Sequence, residues 1–141
     1  MARYEQDVIA WSEEQAALLR SRRFDELDIE RIIWLIEDQG QAQVGHFHHA
    51  LSLALRHVLT WKYSPQERSR KLRSLIVARR RAVFDLLGKT PSLSKWLINA
   101  NFWNEIWEGE LVNRLDVPKE LRYAQPKWTP TTVIDEAFFP D

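Results

Sequence analysis

Cysteine is absent from this chain, which removes disulfides, thiol nucleophiles and thiolate metal ligands together. That composition suits a reducing cytoplasm. Glycine is scarce: four in 141 residues, none recurring at the spacing of a phosphate-cradling loop. No Gly-x-Ser-x-Gly turn is present to raise a nucleophilic serine. No run reaches the roughly 18 apolar residues of a membrane span. The opening residues, Met1-Ala2-Arg3-Tyr4-Glu5-Gln6-Asp7, lack the basic-then-apolar order of a signal peptide. A cytoplasmic protein is expected, off the membrane, without a cofactor and more a binder than an enzyme.

What the chain has in quantity is aromatic and apolar side chains: a 45% apolar share with seven Trp and six Phe. At this length one core can form, so a single helical domain over residues 1–141 is expected. Net charge is zero but unevenly spread. Residues 1–38 carry five basic and ten acidic side chains, whereas residues 62–81 carry eight basic and one acidic.

Periodicity argues for an all-α bundle of four main helices and a short C-terminal one. Residues 4–20 place Tyr4, Val8, Trp11 and Leu18 on one face. From Asp28 to Lys62 there is no proline. Ile29, Ile33, Ile36, Gly40, Gln43, Phe47, Ala50, Ala54, His57 and Trp61 alternate there at spacings of four and three. That repeat predicts one long helix, about 28–62, with a single inward seam. Asp28 suits its N-cap, and Gly40 on the seam leaves room for a neighbouring helix. Ser64-Pro65-Gln66-Glu67 has capping-box spacing with proline at the first helical position, predicting a third helix over 65–87 that stops at Gly88. Thr90-Pro91 predicts a fourth, through about Arg114, with core residues Leu93, Leu97, Trp103, Ile106 and Leu111. Thr129-Pro130 opens a last short helix to Ala137. Alternating runs are missing, so no strand is expected.

Three sets of residues could carry chemistry. The first is a polar cluster within the bundle, Glu37, Gly40, Gln43, His57 and Arg79, where an inward Arg needs a carboxylate or carbonyl partner. If helices two and three run antiparallel through the short Tyr63-Ser64 turn, Arg79 falls near Gly40 and is expected to pair with Glu37. The second is the outward row Arg70, Arg73, Arg80 and Arg81 on the third helix, with Arg68 facing inward; such a row is either a solvated face or a nucleic-acid contact. The third is the run His46, His48 and His49. His46 and His49 share a face and are the nearest approach to a ligand pair, but no Glu-x-x-His accompanies them, so no metal site is expected.

These residues also carry a resemblance. Tyr4-Glu5-Gln6-Asp7 with Trp11, Phe24-Asp25-Glu26-Leu27-Asp28, and Ile36-Glu37-Asp38 with Gly40 resemble a bacterial family known as domain of unknown function number twenty-nine. So do His57-Val58-Leu59 with Trp61, Tyr63 and Pro65, then Arg79 and Pro91-Ser92-Leu93. The similarity runs over nearly the whole chain. It implies an all-helical fold and a cytoplasmic bacterial protein, and carries over no catalytic residue. Thr60 stands where the family commonly has Lys, and Gly45-His46-Phe47-His48-His49 replaces a more charged stretch. The His run is therefore peculiar to this protein.

Three functions compete. The leading one is a helical interaction module, a homo-oligomer or partner-binding protein, because the Trp-rich stripes exceed what one small core requires. The second is nucleic-acid binding through the Arg-rich helix 65–87. The third is an enzyme or metal protein built on Glu37, His57 and the His46–His49 run.

Overall fold

The computed structural model describes residues 1–141. It is all-α and without strands, as the periodicity predicts. Five α-helices follow in order: α1 (Val8–Arg20), α2 (Ile29–Tyr63), α3 (Arg70–Lys89), α4 (Ala100–Leu111) and the single-turn α5 (Pro130–Val133). Helix α2 is unbroken for 35 residues, so the proline-free seam does make one helix. No helix is long and apolar enough to cross a membrane.

The predicted boundaries shift where another contact takes the capping group. Ser64 caps nothing; its hydroxyl donates to Asp116 at 2.6 Å. Pro65–Glu67 is a 3₁₀ turn, and α3 begins only at Arg70, where Ser69 Oγ accepts the Leu72 N–H at 3.0 Å. The helix then passes through Gly88 to Lys89. The expected fourth helix is likewise two pieces: a 3₁₀ stretch Pro91–Ile98, then α4 capped by Asn99, whose Oδ1 accepts from Phe102 N–H at 2.9 Å. Thr129 does cap α5, but the helix ends at Val133 rather than Ala137.

Packing gathers the chain into two compact units, Met1–Gln41 and Ala42–Asp141. The second holds most of the core. Phe47, Leu51, Leu55 and Leu59 from α2 pack with Ile76 and Val83 from α3 and with Trp103, Ile106, Trp107 and Leu111 from α4. Trp103 Nε1 donates to the Trp128 carbonyl at 2.7 Å, and Trp107 meets the Trp128 ring edge-on, with centroids 5.7 Å apart. Much of the aromatic load is thus absorbed by this core.

The first unit buries only Trp11, Gln15 and Leu18. Its joint is polar. The Trp11 indole N–H donates to Asp28 Oδ2 at 2.9 Å, and Gln15 Oε1 accepts the Asp28 main-chain N–H at 2.8 Å. Tyr4 stands edge-on to Trp11, and the Arg31 guanidinium covers the Tyr4 ring at 4.4 Å.

Candidate functional site

The seam of α2 changes character along its length. Phe47, Ala50 and Ala54 are buried, and His57 and Trp61 are half-buried. Ile29, Ile33 and Ile36, predicted to face inward, are 45%, 43% and 67% exposed. The reason lies in the neighbouring positions. Ile32 and Leu35 take the side turned toward α1, so Ile33 and Ile36, one residue further on, are left largely in solvent, as is Ile29 one turn before Ile33. Gly40 is exposed too, and a Cβ built there meets nothing within 4 Å; no helix approaches it. Beside the exposed stripe lies an open groove of about 430 Å³, lined by Trp11, Gln15, Leu19, Ile32, Leu35 and Ile36 among others. Glu30 and Glu37, each one residue beyond a stripe isoleucine, are exposed and form no salt bridge.

The arginines of α3 divide differently from the prediction. Arg70, Arg73 and Arg81 are exposed, but Arg80 is 2% exposed and points inward. Arg80 Nε donates to the Val133 carbonyl at 2.8 Å, Nη2 donates to the Phe138 carbonyl, and the Glu136 carbonyl lies at 3.5 Å from Nη1. Arg79 and Arg80 straddle the core side of the helix, and the C-terminal carbonyls decide which of them is enclosed. Arg68, expected inside, is half-buried and donates to the Trp61 carbonyl at 2.7 Å. Between α3 and the tail is a second groove of about 440 Å³, where Arg73, Val77, Arg81, Phe84, Glu136 and Phe139 meet. The Arg73 guanidinium lies 4.0 Å over the Phe139 ring.

The expected Glu37–Arg79 ion pair does not form; neither side chain is in a salt bridge. Arg79 is half-buried, its Nε enclosed without a partner, and it is a charged neighbour of His57. The residues Ser64 to Ser69, spent on a turn rather than on α-helix, account for the slip in register.

His57 sits in a cationic setting. Burial holds its imidazole below the ordinary histidine range, and Arg79, Arg56 and Arg114 push the same way against Glu110. Around it, Arg56 grips Glu110 through Nε at 2.9 Å and Nη2 at 3.0 Å. Arg114 grips Asp116 at 2.9 and 2.6 Å and also donates to Thr60 Oγ1 at 3.0 Å. Burial pushes the Asp116 carboxyl up, but hydrogen bonds from Arg114 and Ser64 hold it below the usual carboxylate range overall. The donors and acceptors of this network are largely satisfied by one another. Gln43 is half-buried. His46 and His49 are exposed, while His48 packs edge-on to Phe102 at 5.4 Å. No three His, Asp or Glu side chains converge at metal-binding distance.

Two features escape a reading of the sequence: the first-unit groove and the Arg80 clamp. The first left a signal. The consecutive pairs Ile32-Ile33 and Leu35-Ile36 make an apolar arc wider than one seam, and a wide arc on a helix with one packed neighbour must leave apolar side chains outside. The second depended on a proline-rich tail whose path no periodicity describes.

No curated protein and no solved structure matches this chain. A family model does, over residues 3–139, nearly the whole length. The chain belongs to the family described as domain of unknown function DUF29.

Proposed function

We propose that this protein is a helical interaction module whose first unit presents its docking surface, taking a partner protein or another copy of itself. The observation that carries the reading is the exposed stripe Ile29, Ile33 and Ile36 beside an apolar groove. Isolated surface apolar residues are ordinary, whereas a contiguous stripe rimmed by charge marks a binding surface. The first unit's small core points the same way. A unit of about 40 residues with three buried side chains gains from covering its open face. Absence of cysteine supports placing this binding in the cytoplasm.

The test is a photoreactive benzophenone side chain at position 33, in place of Ile33, irradiated in living cells. A discrete cross-linked species, to any protein including the chain itself, is the expected result. No adduct at position 33, with adducts equally absent at position 36, overturns the reading.

Nucleic-acid binding through α3 is the second reading, favoured by Arg70 and Arg81, which are exposed without an acidic partner. Its mark is an affinity for RNA or DNA that falls steeply with salt.

A further inference from the structure

We infer that the occupant of the first unit's apolar stripe is helix α3 of a second copy of this chain. The inference rests on the docking reading above and names its partner. Each copy carries two faces that match one another.

The first face is the Ile29–Ile36 stripe. Its two ends are seven residues apart, two helical turns and roughly 10 Å. On α3, Val77 and Phe84 are also seven apart, share the outward face, and are 43% and 47% exposed. Each face therefore offers two apolar anchors at the same separation, the arrangement in which one helix lies along another with anchors at i and i+7. The groove beside Val77 and Phe84 gives the incoming isoleucines depth.

Charge selects this pairing over others. Glu30 and Glu37 flank the isoleucines, whereas Arg70, Arg73 and Arg81 flank Val77 and Phe84. Glu30, Glu37, Arg70 and Arg81 have no salt bridge within their own chain. Glu136 is the acidic side chain in the α3 groove, outnumbered there by arginines. Pairing first unit with first unit sets Glu30 and Glu37 of both copies against an acidic region, and like charges at an interface discriminate strongly. First unit on α3 joins a region of ten acidic and five basic side chains to one of eight basic and one acidic.

The experiment is sedimentation of the full chain over a wide concentration range, with two surface variants whose helicity is checked by circular dichroism. One carries Glu30→Arg and Glu37→Arg; the other carries Arg70→Glu and Arg81→Glu. Wild type should self-associate, more weakly as salt rises. Each variant alone should sediment as a monomer, since its two faces then carry like charge. An equal mixture should associate again, because the reversed first unit of one meets the reversed α3 of the other. Variants that associate like wild type, or a mixture that stays monomeric, overturn the inference. So does a wild type that stays monomeric throughout. If position 33 still cross-links to a different protein, the docking reading stands and only the second-copy partner is lost; absence of any adduct removes both.

Discussion

The Nε of Arg80 donates to the carbonyl oxygen of Val133 across 2.8 Å, fifty-three residues further along the chain. With a second bond to the Phe138 carbonyl and the Phe139 ring 4.9 Å from its guanidinium carbon, Arg80 is a buried cation solvated by main chain and aromatic face instead of water. The C-terminal tail has no regular structure of its own after α5. Arg80 holds its path together with Arg68, which donates to the Pro140 carbonyl at 3.2 Å, and Lys62, which donates to the Asp141 carbonyl.

Replacing Arg80 with Gln should therefore cost about 3 kcal/mol, since carbonyls lose their donor in a closed setting. Arg70→Gln and Arg81→Gln, exposed on the same helix, should each stay within ~0.5 kcal/mol. Urea unfolding monitored by circular dichroism distinguishes them. Equal costs across the three positions would mean that the tail does not depend on Arg80.

The first unit should be separately sensitive. Asp28→Ala removes the acceptor of the buried Trp11 indole N–H, a loss of roughly 1–3 kcal/mol. The damage should be local. Amide exchange should quicken through α1 and stay unchanged in α4, and the Trp11 environment should become more polar by fluorescence.

His57 sets a pH dependence whose sign follows from its lowered pKa. The fold holds the neutral imidazole, while the unfolded chain takes up a proton near pH 6.5. Stability from this group is complete above about pH 6.5 and is lost as pH falls through the lower folded value. Between pH 7 and 5 the melting temperature should decline, and His57→Gln should flatten that decline. An unchanged slope in the variant would assign the pH dependence to other groups.

Gly40 lies inside α2 with open space where a Cβ would stand and no positive φ. Gly40→Ala should raise stability by about 0.5–1 kcal/mol, through helix propensity and a less flexible unfolded chain. Gly45→Ala should act in the same direction, for the same reasons.

Helix content was legible because proline placement and a repeat near 3.5 residues act locally: α2 and its length follow from them directly. Facing was legible only where one neighbour packs. Phe47 and Ala54 lie inside as their spacing implies, whereas Ile29, Ile33 and Ile36 continue the identical pattern into solvent. Periodicity marks an apolar face without stating whether this chain or another molecule covers it. Ser64 failed as a cap because Asp116, far along the sequence, takes its hydroxyl, and Arg80 turned inward toward carbonyls equally distant. Such choices belong to tertiary contacts of long sequence separation, and local spacing contains no information about them.

From Ile36 to Ala42 no side chain of α2 is buried, so nearly two turns of the longest helix are held mainly by main-chain hydrogen bonds. In water, each added helical residue gains little, and glycine subtracts from that gain. The usual order of melting should consequently invert here. Ordinary helices fray from their tips inward; this one is anchored by packed residues on both sides, Leu35 before and Phe47 after, and should loosen first at its middle. A ligand that tightens either anchor would rewind the centre, so the helicity of a segment that buries no side chain becomes a gauge of what is bound beside it.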